Sequence, residues 1–180
     1  MENSWVNLQP NGEMTFSLGT TGGFTVVGGP YKAIPEGYLG VKMAREIGKV
    51  CHIDVPTEDF QVPLMEDFQN GVMEAGIMLL RGQCIYVGCM GGIGRTGLFL
   101  AGLAMVDEEL KASSTKRMIK RLLGYRPDPK DQVTRAIRRV RSEYMASAVE
   151  TDAQEAFLLG CDPAPVADII EKSREIPLSV

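Results

Sequence analysis

The sequence predicts an α/β fold in three layers, a largely parallel sheet of four or five strands flanked by helices, with a helical C-terminal half. Three observations carry this expectation. Short apolar runs bounded by glycine or proline recur through the first half of the chain. One of them, Cys84-Ile85-Tyr86-Val87, is apolar throughout, the pattern of a strand buried on both faces. Beyond Gly94 the pattern changes to apolar residues at helical spacing, interrupted by breaks.

Taken in order, Met14 to Gly29 reads as two strands joined by a glycine-containing turn. Gly37 to Lys49 has helical spacing at Leu39, Met43 and Ile47, with Gly48 near its end, and predicts a helix. Val50 to Val55 predicts a strand stopped by Pro56, and Pro56 to Pro63 a charged loop. A helix over Leu64 to Arg81 follows, then the apolar strand from Cys84, which makes Cys84 a core residue. A glycine-rich loop, Gly88 to Gly94, runs directly into a helix over Thr96 to Leu110. Two or three further helices are expected, with breaks near Ser113, Gly124 to Pro129 and Met145 to Thr151. Residues 162–180, with Pro163, Pro165 and Pro177, read as a loosely packed tail.

Length and composition fit one unit over residues 1–180 with its core at about 14–160. The chain is 44% hydrophobic and 23% charged with a net charge of −4, which excludes disorder as the dominant state. No apolar run approaches the roughly 18 residues of a membrane span, and the acidic, polar start is unlike a secretory signal. Cys51, Cys84, Cys89 and Cys161 form no Cys-x-x-Cys pair, and only one histidine is present, so a zinc site is poorly supplied. Reduced thiols and a cytoplasmic location are expected.

The charge is unevenly spread. Lys111 to Arg141 holds eleven Lys or Arg against two Asp, a local balance of +9. Either solvated helix faces or a surface attractive to acidic partners would account for it. Tyr125 is the only aromatic residue there, and charge without stacking predicts weak, salt-dependent nucleic-acid binding.

The chemistry is concentrated in Cys89-Met90-Gly91-Gly92-Ile93-Gly94-Arg95-Thr96-Gly97. A strand, a tight glycine loop and a helix N-terminus make an anion site, because backbone N–H groups and the helix dipole converge there. Arg95 adds a planar fork for two phosphoryl oxygens. A thiol at Cys89 lies in the same positive field, which favours a nucleophilic thiolate. Gly92, Gly94 and Gly97 also satisfy Gly-x-Gly-x-x-Gly, but no second βα unit follows.

The string Cys-x5-Arg-Thr with Gly92 and Gly94-Arg95-Thr96-Gly97 resembles the signature of cysteine-dependent protein tyrosine and dual-specificity phosphatases. Pro56 to Pro63 resembles that family's general-acid loop, with Asp59 thirty positions before Cys89, and Val149 to Leu158 resembles its late segment with a water-positioning glutamine. The resemblance implies hydrolysis of phosphate monoesters on phosphotyrosine or phosphoserine/threonine proteins, through a cysteinyl-phosphate intermediate and without metal or organic cofactor. It implies Cys89 as nucleophile, Arg95 and the N–H groups of Met90, Gly91, Gly92, Ile93 and Gly94 as phosphate ligands, and Asp59 as general acid and then, as carboxylate, acceptor of the attacking water's proton. It further implies Gln154 as water-orienting group and Thr96 as donor to the Cys89 sulfur, with a capping hydroxyl as Thr96's alternative role. Glu58 and Asp54 are rival carboxylates near Asp59, and Gln132 is the rival to Gln154, since the interval from Cys89 to Gln154 is long for the family. His52 reads as a structural strand-end residue. The family's histidine before the nucleophile is replaced by Gly88. Two alternatives accompany the protein-phosphatase reading: an RNA 5′-phosphatase using the basic stretch, and a phosphoprotein-binding pseudo-phosphatase.

Overall fold

The computed structural model describes residues 8–112, 114–125 and 127–175. Among these residues five strands form one sheet in the order β1-β2-β5-β3-β4. They are β1 (Gly12–Phe16), β2 (Phe24–Pro30), β3 (Leu39–Lys42), β4 (Ile53–Asp54) and β5 (Ile85–Cys89). Only the β1–β2 hairpin is antiparallel; β2–β5, β5–β3 and β3–β4 are parallel. In the centre of the sheet Val26 pairs with Ile85, and Leu39 with Ile85 from the other side. β5 is buried along its whole length, as its uninterrupted apolar run predicts.

Strand alternation sorts the two faces. Met14, Phe16, Val26, Ile85, Val87, Val41 and Ile53 are buried on one face, which packs against α1 (Met65–Leu80), α2 (Gly94–Lys111) and α4 (Pro129–Glu143). A short 3₁₀ turn, Tyr31–Ala33, covers the other face at its centre through Tyr31. Nearly every position of α2 is buried, because α1, α4, α5 (Asp152–Leu159) and α6 (Pro163–Ser173) surround it. α3 (Ser114–Leu122) completes the set. None of the described helices is long and apolar enough to cross a membrane.

Several expectations are corrected. Residues of the predicted Gly37–Lys49 helix form β3 and a following loop. Leu39, Met43 and Ile47 do face inward, but Val41 lies buried between them and pairs with Val87, so sheet pairing overrides the helical spacing. The Val50–Val55 strand shrinks to Ile53–Asp54. β5 starts at Ile85, which leaves Cys84 exposed just outside it rather than in the core. Among the described residues four helices follow α2 instead of two or three. The expected loose tail contains α6, whose first residue Pro163 occupies a position that needs no N–H, capped by Asp162 accepting from the Ala164 N–H at 3.0 Å. Val166, Ala167 and Ile170 bury its inner face against α1 and α2. The break at Ser113 and the tail's Pro177 lie outside the described residues.

Asp107 ties the hairpin to the helices. Its buried carboxylate accepts from the N–H groups of Ser17 (2.9 Å) and Leu18 (2.6 Å) and from Arg139 (2.8 Å).

Candidate active site

β5 delivers Cys89 to the mouth of the loop, and α2 begins five residues later at Gly94. The Cys89 side chain is 3% exposed, and its sulfur accepts from the Gly92 N–H at 3.2 Å. Outer contacts fix the loop's backbone. Asn11 Nδ2 donates to the Gly91 carbonyl at 2.9 Å and the Gly92 carbonyl at 3.0 Å, and the buried Tyr144 hydroxyl also donates to the Gly92 carbonyl. Because each peptide unit is planar, anchoring these carbonyls outward restricts where the attached N–H groups can point. Gly92 itself has φ of 73°, and a Cβ there would overlap the Gly29 backbone. No other residue fits that position.

Gly88 has a comparable explanation. A Cβ at this position would lie 2.7 Å from the Tyr31 Cα and 2.8 Å from the Gly29 oxygen, both backbone atoms. The 3₁₀ turn passes too close to β5 for any side chain, so histidine is excluded before Cys89 by the packing of the sheet's covered face.

Arg95 is 2% exposed, and among the described residues three partners hold it. Glu46 receives its fork through two bonds, Nη1 to Oε2 at 2.9 Å and Nη2 to Oε1 at 2.6 Å. Nη1 also donates to the Thr57 carbonyl at 2.9 Å, and Nη2 to Asp59 Oδ1 at 2.8 Å. Burial works to lower the Arg95 pKa, but the Glu46 hydrogen bonds and the charges of Cys89, Glu46 and Asp59 hold it above its ordinary value. The Arg95 hydrogen bond in turn keeps the Glu46 carboxyl below its usual range, against the opposing effect of burial. Asp59 is 61% exposed and reaches in from the loop after β4. Its rivals point elsewhere: Asp54 pairs with Lys42 at 3.3 Å and Glu58 with Arg45 at 3.4 Å.

The remaining expected groups are placed as follows. Thr96 is buried with no hydrogen-bond partner for its hydroxyl among the described residues. The expected bond to the Cys89 sulfur is therefore not formed, the Gly92 N–H serving the sulfur instead. Nor does Thr96 cap the helix, because α2 starts two residues earlier, after Ile93. Gln154 is 1% exposed on α5; its Oε1 accepts from the Glu150 N–H at 2.8 Å, and its Nε2 lies 3.2 Å from where a Gly94 Cβ would be. Gln132 lies on α4 and lines a cleft with Lys120, Tyr125 and Cys161, away from the loop. Met90 and Gly91 are exposed and Ile93 is half-buried. His52 has a structural contact, Nδ1 accepting from the Gly40 N–H at 3.1 Å. Sequence reasoning missed Glu46, Asn11, Tyr144 and Glu150. Each reaches the loop or Arg95 from more than forty positions away, and no local pattern announces such contacts.

Comparisons with known proteins bear on the fold. A family model described as "Tc-R-P: Polymorphic toxin system, DSP-PTPase phosphatase" matches residues 36–108, the span that contains Asp59, Cys89 and Arg95. No curated protein matches the sequence. Among solved structures, kinase associated phosphatase, with serine substituted for its catalytic-site cysteine, superposes with a TM-score of 0.53 at 16% identity, over 84% of this chain and 94% of that one. Tk-PTP in a glycine-to-alanine mutant form gives a TM-score of 0.50 at 16% identity, over 84% and 92% of the two chains. Its active form gives 0.50 at 17% identity, over 74% and 87%. The chain shares their fold.

Proposed function

We propose that this chain, built on the fold of the tyrosine and dual-specificity phosphatases, hydrolyses phosphate monoesters with Cys89 as the nucleophile. The observation that carries the reading is the placement of Cys89 and Arg95 at the two ends of one loop, with the loop's carbonyls tied outward by Asn11 and Tyr144. In the proposed reaction the Cys89 thiolate attacks phosphorus in line and the P–O bond to the leaving group breaks. Arg95 and the N–H groups of residues 90–95 take the charge on the equatorial oxygens. Glu46 holds the guanidinium plane, which a point charge could not replace. Asp59 protonates the leaving oxygen. Water then attacks the cysteinyl phosphate, oriented by Gln154, and the P–S bond breaks. Thr96, whose hydroxyl has no other partner among the described residues, is the donor available to the departing sulfur.

Positions 90–94 carry no Lys or Arg, so Arg95 supplies the loop's only side-chain cation. One phosphoryl group matches that charge better than a polyphosphorylated headgroup. Phe60 and Met90, the exposed neighbours of Asp59 and Cys89, offer apolar surface to an aryl ring. Phosphotyrosine, with phosphoserine and phosphothreonine, on protein substrates is the reading these features support. The RNA alternative depends on the basic stretch, and much of its charge is committed internally. Arg117 pairs with Glu171, Arg135 with Glu108, and Arg139 and Lys111 with Asp107.

The test is turnover of a small aryl phosphate with EDTA present. Activity that vanadate inhibits and Cys89→Ser abolishes is expected. Activity that survives Cys89→Ser undiminished would remove the cysteine mechanism.

A further inference from the structure

Two polar groups converge on the last residue of the loop, and the proposed reaction uses only one of them. Glu150 Oε2 overlaps the point a Gly94 Cβ would occupy, and Gln154 Nε2 lies 3.2 Å from it. One is an acceptor and the other a donor. Gln154 is fully buried, and its Nε2 has no hydrogen-bond partner among the described residues. Glu150 is exposed, and no ion pair engages its carboxylate among the described residues.

The backbone that presents Glu150 is held in an unusual conformation. Val149 has φ of 58°, a left-handed value that a β-branched residue adopts only under constraint. Arg141 supplies the constraint, with Nε donating to the Ala148 carbonyl at 3.1 Å and Nη2 to the Val149 carbonyl at 3.0 Å. Gly97 lets this turn seat on α2, since a Cβ there would meet the Ala148 Cβ at 2.6 Å and the Val149 nitrogen at 2.9 Å. Beyond the turn, Thr151 caps α5 and fixes Gln154.

We infer that Glu150 is the proton acceptor for the water that hydrolyses the cysteinyl phosphate, with Gln154 Nε2 donating to the same water. The inference rests on the cysteinyl-phosphate reading above. In this step the water oxygen forms a bond to phosphorus and its proton passes to Glu150. The P–S bond breaks with its electron pair going to Cys89 as thiolate. Phosphate leaves, and Glu150 then returns the proton to solvent. Asp59 acts in the first half of the reaction and Glu150 in the second.

Rapid-mixing kinetics of Glu150→Gln with p-nitrophenyl phosphate test this. The expected result is a stoichiometric burst of nitrophenol followed by a steady state about 10²-fold slower than wild type. Acid-quenched enzyme should carry phosphate on Cys89, and Glu150→Asp should recover part of the rate. Glu150→Gln with the wild-type steady state, or with burst and steady state slowed equally, would overturn the inference. So would accumulation of the phosphoenzyme in Asp59→Asn but not in Glu150→Gln. Wild-type turnover that does not depend on Cys89 would instead remove the underlying phosphatase reading, and Cys89→Ser measured alongside separates the two failures.

Discussion

Asp59 meets Arg95 through a single oxygen and is otherwise open to solvent, so its contribution can be isolated by changing the leaving group. Asp59→Asn is expected to slow turnover about 10²-fold for alkyl or unactivated phenyl phosphates and much less for nitrophenyl phosphate, because only poor leaving groups need the proton. Equal losses across the series would remove the acid role, and a leaving-group dependence in Glu58→Gln instead would move it there. Gly88 makes a different kind of prediction. Gly88→Ala places a methyl within 2.7–2.9 Å of the Tyr31 backbone and the Gly29 oxygen, which cannot move as a side-chain tip can. A loss of about 1–3 kcal/mol in urea unfolding is expected. A Gly88→Ala protein as stable as wild type would show that histidine is absent for some reason other than space. Glu46→Gln removes the charge that faces Arg95 along its fork, and the expected outcome is a raised KM for aryl phosphates, measured by steady-state kinetics.

At the scale of elements, Asp107 joins three pieces of structure: the Ser17–Leu18 turn between β1 and β2, α2 and α4. Burial by itself would raise its pKa. Hydrogen bonds from Arg139, the Leu18 N–H and Ser17, with the charge of Lys111, more than reverse that and leave it below the usual carboxylate value. A carboxyl with a lowered folded pKa stabilises the fold above its unfolded value, about 3.9, and that contribution is lost as pH falls through the folded value. Asp107→Asn is expected to lose about 3 kcal/mol at neutral pH, since Arg139 and Lys111 lose their charge partner. The difference from wild type should shrink below about pH 4. Chemical denaturation at several pH values checks both, and a pH-independent difference would contradict the assignment. The elements themselves were unequally legible in the sequence. β5, the loop and α2 were readable because local pattern and tertiary environment agree: an apolar strand at the centre of the sheet, then glycines, then a helix buried all round. β3 was not, because its helical spacing is real and only the pairing of Val41 with Val87 decides against it. α6 was hidden by its prolines, which mark a helix start when an Asp stands before them.

Over the whole molecule, charge is sorted differently from its distribution along the chain. The +9 of Lys111 to Arg141 suggests a basic surface, yet Arg117, Arg135 and Arg139 each meet a carboxylate, two of them on α2 and one on α6, and Arg141 serves backbone carbonyls. Linear charge counting could not anticipate partners that only the folded chain supplies. Binding of single-stranded RNA is accordingly expected to be weak at low salt and to fall off steeply with added salt. Tight RNA binding at physiological salt, measured by fluorescence anisotropy, would contradict this and restore the RNA 5′-phosphatase reading. The site shows the same division. As candidates, Cys89, Arg95 and Asp59 stand out because each sits in a local motif, whereas Glu46, Asn11, Tyr144 and Glu150 become neighbours of the loop only through the fold.

In the proposed reaction Cys89 carries the phosphoryl group during turnover. Acid quench of wild type during hydrolysis of an aryl phosphate, followed by peptide mass mapping, tests it most directly. One phosphoryl group is expected on the peptide that contains Cys89, absent from Cys89→Ser and lost on exposure to vanadate before substrate. Phosphate release that continues with Cys89 unmodified, or with the phosphoryl group on a different residue, would contradict it.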